Sequence, residues 1–390
     1  MNKSFSLSLL TAGFITVLVG YTSSAAIVFQ AASSAGATAG QLASWMWALG
    51  LGMGLSCIGL SLRYKDPVVT AWSTPGAALL AGSLAGVPMG EAIAAFMFCA
   101  ALITLCGITG WFERIMGRIP LPIAAAMLAG VLARFGINIF TEMQSQFALV
   151  FSMFAAYLIC KKLWPRYAIM LVLALGICIA SAQNLLHLQA VKLAIATPEW
   201  MMPIFNWQSM LSIGIPLFAV TMASQNMAGV AVIRANGYNT PVSPLITWTG
   251  LTTLILAPFG CFSLNLAAIT AAICMGKEAH EDPAQRYKAS IAAGCFYLLL
   301  GLFGATIGAL FTALPKALVL AIAGLALLGT IANSLNVAMS HEKFREPAVI
   351  TFLVTLSGVT LMGIGPAFWG LIAGAIASII LSGFSVVDQS

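Results

Sequence analysis

Long apolar runs recur from one end of this chain to the other and limit what it can fold into. Fourteen of them, separated by Gly, Pro and small clusters of charge, cover most of the 390 residues. Only 7% of the residues are charged, against roughly 25% in an ordinary soluble domain. We therefore predict an all-α polytopic membrane protein. The runs lie at about 8–30, 39–62, 68–83, 89–110, 119–140, 145–163, 166–183, 209–233, 242–258, 261–275, 288–311, 315–337, 347–363 and 366–385.

Basic residues fall mostly on one side of these runs. If the N-terminus lies in the cytoplasm, only Arg134, Lys192 and Lys316 of the 17 Lys and Arg residues face the outside. Cytoplasmic loops of membrane proteins carry such an excess, and removing any one run would reverse every later loop. The bias predicts fourteen transmembrane segments with both termini in the cytoplasm. It also accounts for the net charge of +6 without nucleic acid as a partner.

The two halves of the chain show a weak internal repeat. A shift of 194 residues brings matching residues of segments 4 and 5 onto segments 11 and 12, as with Gly107 and Gly301. A shift of 201 residues relates segments 1 and 8, as with Ser23 and Ser224. Because seven is an odd number, two halves of seven segments have opposite orientations in the membrane. We predict a 7+7 inverted repeat.

Segment 3 is too short to cross a bilayer as a plain helix. Its β-branched stretch 68–70 favours an extended chain, whereas Ser73 or Thr74 can cap a helix and Pro75 suits the first helical turn. We predict a broken segment whose helix begins near residue 74, inside the membrane. The alternative is a continuous helix kinked at Pro75.

Segment 10 has the same character in the second half of the chain. Pro258 and Gly260 interrupt it, and Ser263 or Asn265 is the expected cap of a helix that begins near residue 265. Two helix N-termini would then converge near the bilayer midplane, where their free N–H groups and dipoles attract an anion. A kink at the membrane interface is the alternative for this segment.

Polar residues interrupt segments 1 and 8. Segment 1 contains Thr22, Ser23 and Ser24 after Tyr21, and segment 8 contains consecutive Ser, Gln and Asn at 224–226. Unpaired polar groups are costly in hydrocarbon, so these side chains face protein or a wet cavity. Hydrogen bonds between helices are the alternative to a binding role.

Acidic residues are expected only at the ends of segments or in loops. No carboxylate or histidine is expected at the midplane, where proton-coupled carriers often keep one. Glu91, at the start of segment 4, is the nearest candidate for proton coupling, with a solvated loop charge as the alternative. The 8 cysteines form no CxxC pair and lie at no ligand spacing to histidine. We expect no metal, no cofactor and no enzyme activity.

Seven stretches of the chain together resemble the bacterial benzoate/proton symporter family (BenE type) of the inner membrane. That family is similar to the nucleobase and sulfate carriers, which implies a fourteen-segment inverted-repeat fold. The resemblance covers nearly the whole chain, and its motifs are GYTSSAAIVFQAA, TAWSTPGAALL, LCGITGWFERIMGRIPLPIAAAMLAGVLARFG, TMASQN, NGYNTPVSPLI, AAITAAIC and GPAFWGLIAG.

The resemblance also implies two domains and a substrate site. The core domain would comprise residues 1–118 and 209–312, and the gate domain residues 119–208 and 313–390. The substrate would lie between broken segments 3 and 10, beside segments 1 and 8. Carried over by position, with Tyr21, Trp72 or Phe262 expected against the substrate ring, the site comprises Tyr21, Ser24, Trp72, Ser73, Thr74, Gln225, Asn226, Phe262, Ser263 and Asn265.

The resemblance favours one class of substrate. Nucleobase carriers have acidic residues on segments 8 and 10, whereas this chain has Ser, Gln and Asn at 224–226 and Ser, Leu and Asn at 263–265. An aromatic carboxylate fits better, since helix N-termini supply positive potential. We expect a secondary transporter of benzoate-like acids across the bacterial inner membrane, in which the core moves against the gate. Proton coupling rests on the resemblance alone, and the proton would be carried either by a peripheral group such as Glu91 or by the carboxyl group of the substrate. Another small anion, a nucleobase, a passive channel and a membrane enzyme stay open, as does the oligomeric state, with a homodimer as one option.

Overall fold

The computed structural model describes residues 7–112, 121–164, 168–186, 191, 193–277, 279–361 and 366–382. Each of the fourteen apolar runs coincides with a helix, a bent pair of helices or a strand followed by a helix. Both chain ends, whose cytoplasmic location is predicted, lie outside the described residues, as do the side chains of Thr22 and Ser23.

The described residues of the first half of the chain form seven helices and one strand. Helix α2 starts with a capping box, in which the Thr38 hydroxyl accepts the Gln41 N–H and the Gln41 side chain accepts the Thr38 N–H. The elements are α1 (Leu7–Ser34), α2 (Ala39–Tyr64), β1 (Thr70–Trp72), α3 (Thr74–Ser83), α4 (Met89–Thr109), α5 (Leu121–Ser145), α6 (Phe147–Leu163) and α7 (Ala168–Ala182).

The second half follows the same order of elements. Helix α8 is the continuous run 207–235, which includes two π-helical turns, Met210–Gly214 and Thr221–Asn226. The remaining elements are α9 (Val242–Leu256), β2 (Leu264–Leu266), α10 (Ile269–Met275), α11 (Tyr287–Leu302), α12 (Gly304–Thr312), α13 (Lys316–Ala338), α14 (Arg345–Ser357) and α15 (Pro366–Ser382).

Several of these helices are long and apolar enough to cross a bilayer. Among the described residues, six helices meet both criteria on their own, and the number of candidate spans rises to eight if each of two bent pairs counts as one span. The sharper bend, 67°, separates α11 from α12. Helices α7 and α15 are apolar but only 15 and 17 residues long. The chain is thus a polytopic helical membrane protein, and the count of fourteen spans stays a prediction.

The helices pack in two groups. In the first helix group, formed by α1–α4 and α8–α12, α2 packs along α11 and α4 along α9. In the second helix group, formed by α5–α7 and α13–α15, α5 packs along α13 and α14, and α6 along α7. Glycines allow the closest approaches, since a Cβ on Gly50 would lie 2.5 Å from the Gly301 Cα, and one on Gly107 would lie 2.5 Å from the Thr247 backbone nitrogen.

The two strands form a two-stranded sheet within the first helix group. They are antiparallel, with Ala71 opposite Asn265. Helix α3 then begins at Thr74, where the Ser73 hydroxyl accepts the Gly76 N–H at 3.1 Å. The predicted break of segment 3 and its cap are therefore confirmed.

Segment 10 is also broken, but its helix begins later than the sequence predicts. Helix α10 starts at Ile269, after Ala268, and has no side-chain cap. The expectation of a cap by Ser263 or Asn265 is wrong, because residues 264–266 pair with β1 as a strand. Strand pairing occupies the chain that a helix starting near 265 would need.

Candidate functional site

A large cavity of about 1510 Å³ lies between the two helix groups. Helices α1, α3, α8, α10 and α11 form one wall, and α5, α6, α7 and α13 form the other. Its mouth lies at one end of the bundle, where α1 and α7 begin and α6 and α13 end. The residues at that mouth are Leu7, Lys161, Ala168 and Val337.

The N-terminus of α3 meets the deep end of this cavity. Thr74 lines the cavity, and Pro75 has no N–H. The Ser73 hydroxyl accepts the next free N–H, that of Gly76. The Thr74 N–H and hydroxyl are therefore the polar groups that the positive end of this ten-residue helix presents to the cavity.

The second π-helical turn of α8 divides its polar residues between the cavity and the interior. Ser224 and Gln225 line the cavity. The Ser224 hydroxyl donates to the Val220 carbonyl at 2.6 Å, whereas the Gln225 amide has no hydrogen-bond partner among the described residues. A π-turn is a common feature of functional sites, and here it presents one free amide to the cavity.

Asn226 is placed differently from its neighbour. It is fully buried, and its Oδ1 accepts the Leu266 N–H at 2.9 Å. Its Nδ2 donates to the Met222 sulfur at 3.2 Å. The side chain thus fastens α8 to strand β2 instead of lining the cavity.

Aromatic residues form the floor beside Thr74. Trp72 lines the cavity, and its indole N–H donates to the Ser24 hydroxyl at 2.8 Å, which in turn donates to the Gly20 carbonyl at 2.8 Å. Tyr21 packs edge-on against Trp72, with 4.8 Å between ring centroids, and its own hydroxyl is buried without a partner in the described chain. Tyr297, which the sequence does not single out, also lines the cavity.

A buried cluster of hydroxyl groups lies behind the cavity. The Thr221 hydroxyl donates to the Ser73 hydroxyl at 3.2 Å and hydrogen-bonds with the Ser263 hydroxyl at 2.9 Å. All three residues are fully buried. Thr221 therefore joins α8 to both broken segments, and sequence reasoning missed it because a single Thr in an apolar run has no distinctive pattern.

Two more residues that the sequence predicts to contact the ligand, Phe262 and Asn265, do not line the cavity. Phe262 is fully buried and packs against Trp45 and Phe96, with 6.2 Å between centroids in each pair. Asn265 lies in β2, equally buried. Four of the predicted residues thus share the cavity lining, namely Ser24, Trp72, Thr74 and Gln225, and the other six do not line it.

The second helix group contributes polar residues that the sequence analysis missed. Thr330, Asn333 and Ser334 of α13 all line the cavity. Their spacing of i, i+3 and i+4 places them on one face of a helix, which is a signal that could have identified them. They face the cavity from the wall opposite α8.

No acidic residue or histidine is found among the described residues that line the cavity. Glu91 lies at the start of α4 and accepts a short hydrogen bond from the Ser209 hydroxyl at the start of α8. Within the described part of the chain, no cluster of three His, Cys, Asp or Glu side chains could hold a metal ion.

Comparison with known sequences identifies the family. Residues 3–380 match the family model described as BenE, benzoate membrane transport protein. The chain belongs to the BenE family. Its curated relatives include the inner membrane protein YdcO of Escherichia coli, 52% identical over 96% of this chain and 95% of the relative. The benzoate membrane transport protein of Acinetobacter baylyi is 42% identical over 98% of this chain and 97% of that protein. The BenE chain is thus a membrane transporter and not an enzyme.

Solved structures share its fold. The transmembrane domain of the cyanobacterial bicarbonate transporter BicA superposes with a TM-score of 0.65 at 12% identity, over 96% of this chain and 98% of that domain. The overall structure of SLC26A9 superposes with a TM-score of 0.63 at 12% identity, over 95% of this chain. The BenE chain spans 65% of that longer protein. At this identity the likeness concerns the fold alone.

Proposed function

We propose that this protein is a secondary transporter of benzoate-like aromatic carboxylates in the bacterial inner membrane. The observation that carries the proposal is the free amide of Gln225 in the same cavity as the N-terminus of α3. An amide N–H₂ group and a helix N-terminus both recognise a carboxylate without presenting a negative charge. The printed name of the Acinetobacter relative points to the same substrate.

The ring of the substrate has its own contacts in this proposal. Trp72 and Tyr297 line the cavity beside Thr74, and both present aromatic surface to a planar ligand. The Trp72 indole is held by Ser24 at 2.8 Å, so its orientation is fixed before binding. A carboxylate bound at Thr74 and Gln225 would place its ring against these two side chains.

Relative movement of the two helix groups would expose the site to each side of the membrane in turn. We assign residues 1–118 and 209–312 to a core domain and 119–208 and 313–390 to a gate domain, in agreement with how the helices pack. The mouth carries Lys161, and basic residues favour the cytoplasmic side. In this orientation the cavity opens inward, both termini are cytoplasmic, and fourteen segments span the bilayer.

Two features support an inverted repeat. Ala71 pairs with Asn265 in the strand ladder, and these residues are related by the shift of 194 that relates the sequence halves. Gly107 of α4 contacts α9, and Gly301 of α11 contacts α2. The inverted repeat relates segment 4 to segment 11 and segment 2 to segment 9, so it exchanges these two contacts. An antiparallel pairing of equivalent strands is what a two-fold axis in the membrane plane requires.

Proton coupling would then involve the substrate. The described cavity lining has no acid, and Glu91 is bonded to Ser209 rather than exposed in the cavity. We infer that the proton travels on the carboxyl group of the substrate, so that benzoate and a proton cross together.

Counterflow in proteoliposomes tests the proposed function. Vesicles loaded with unlabelled benzoate should take up labelled benzoate transiently above its equilibrium level, as a carrier does and a channel does not. Vesicles loaded with unlabelled benzamide, uracil or sulfate and given the same solute in labelled form should show no such overshoot. Overshoot with uracil or sulfate alone would assign the protein to another substrate, and an absence of overshoot with every solute would exclude a carrier.

A further inference from the structure

A second, smaller pocket lies near the opposite end of the molecule from the cavity mouth. Its volume is about 120 Å³, close to the cavity of about 150 Å³ that takes up one benzene molecule in an engineered protein. Apolar walls from α3, α5 and α15 surround a few polar groups. Those groups are the side chains of Gln30, Ser83, Arg134, Asn138 and Thr355.

Three helices, α1, α3 and α5, line both the cavity and this pocket. Along α1, Ser24 lines the cavity and Gln30 the pocket, roughly 9 Å further along the axis. Along α5, Leu128 lines the cavity and Val131 the pocket. Helix α3 continues in the same way from Thr74 into the pocket. The two spaces therefore lie one beyond the other along the same three helices.

Arg134 is the only charged side chain among the described residues that line the pocket. It lies within α5, 13 residues after Leu121, which corresponds to roughly 20 Å along the helix axis. Helix α5 is long and apolar enough to cross a bilayer, and ionisable residues within such helices often mark functional sites. Its Nη2 donates to the Leu356 carbonyl at 3.1 Å, which fixes the guanidinium at the pocket while its other donors stay available.

Two buried polar atoms beside Arg134 also lack partners. The Gln30 amide oxygen and the Thr355 hydroxyl oxygen are buried and have no hydrogen bond in the described part of the chain. Leaving such groups unsatisfied is costly. A bound ligand with polar atoms would reduce that cost, since a hydroxyl can donate and an amide can turn to present its N–H₂ group.

We propose that this pocket is an outer binding site for the aromatic carboxylate, with Arg134 as the residue that recognises its charge. Guanidinium and carboxylate form a bidentate, charge-assisted pair, and the apolar walls accept the ring. The anion occupies this site from the outside before it reaches the cavity. The identity of the ligand rests on the proposed function, whereas the existence of an anion site rests on the pocket itself.

Protection of an introduced cysteine tests the proposal. Ser83→Cys places a thiol in the pocket, in a background where Cys160, Cys178 and Cys295 are replaced by serine. Right-side-out vesicles are treated with a membrane-impermeant maleimide added outside. Benzoate should slow the labelling in a concentration-dependent manner, and benzamide, which has the ring without the charge, should not. Absence of labelling without ligand, or equal protection by benzamide, overturns the proposal.

Variants separate this site from the central cavity. Arg134→Gln should raise the half-protecting benzoate concentration at least about tenfold, and Arg134→Lys, which keeps the charge, should raise it less. Gln225→Ala should leave protection unchanged. Protection that survives Arg134→Gln but is lost in Gln225→Ala would mean that it reflects movement driven from the cavity, and would overturn the outer site. If benzoate protects but does not bind the cavity, the outer site stands and the proposed function fails.

Discussion

Gln225 and Asn226 are adjacent in the chain, yet the structure gives them different surroundings. Both occur in the same polar triplet, and no sequence pattern distinguishes them. Successive residues of a helix point in different directions, and here Gln225 lines the cavity whereas Asn226 faces β2. Substitution of Asn226 should therefore lower stability, whereas substitution of Gln225 should weaken substrate binding.

Asn226→Ala should destabilise the protein. The substitution leaves the buried Leu266 N–H without its acceptor, at a cost of about 1–3 kcal/mol in the free energy of unfolding. Thermal unfolding in detergent measures this as a lower midpoint temperature. Ser224→Ala is the matched control, since that hydroxyl bonds only to the carbonyl of Val220 in its own helix. An Asn226→Ala midpoint equal to that of the control would contradict the structural role.

Arg134 illustrates what residue-level sequence reasoning can miss. The charge bias places Arg134 toward the outer side of the membrane. It does not indicate how deep in the membrane Arg134 lies. Helix α5 extends to Ser145, five residues beyond the expected end of segment 5, so Arg134 lies well inside the helix. Depth depends on where a helix ends, and helix ends are less well defined by an apolar run than its centre is.

At the scale of elements, local signals were predictable and long-range pairing was not. The Ser73–Thr74–Pro75 sequence contains its own start signal, and α3 begins where that signal lies. Helix α10 begins four residues later than expected because strand β2 pairs with a strand almost 200 residues away. A window of neighbouring residues contains no information about that partner.

Two glycines of α2 give a paired test of helix packing. Gly50→Ala would place a Cβ 2.5 Å from the Gly301 Cα, whereas a Cβ on Gly59 meets nothing within 4 Å. Gly50→Ala should therefore force α2 and α11 apart and lower the thermal midpoint. Gly59→Ala should be neutral or stabilise the helix by about 0.5–1 kcal/mol. Equal midpoints for the two variants would contradict the close approach of these helices.

At the scale of the whole molecule, the lack of an acidic residue among the described residues that line the cavity has consequences for energy coupling. A proton carried by the substrate needs no titrating side chain in the passage. Glu91→Gln should then retain the wild-type dependence of benzoate accumulation on an inward pH gradient, measured as initial uptake into proteoliposomes. Glu142→Gln, at the end of α5, is the control for loss of one acid. Loss of acid-driven accumulation with intact exchange in Glu91→Gln would instead assign the proton to Glu91.

In the proposed transporter, Gln225 binds the substrate carboxylate in the cavity between the helix groups. Isothermal titration of purified protein with benzoate tests it directly, with Gln225→Ala compared against Ser224→Ala. Loss of a hydrogen bond to a charged group costs about 1.5–3 kcal/mol, or roughly 10- to 150-fold in affinity. We predict a loss in this range for Gln225→Ala and wild-type affinity for Ser224→Ala. Unchanged benzoate affinity in folded Gln225→Ala protein would contradict the account.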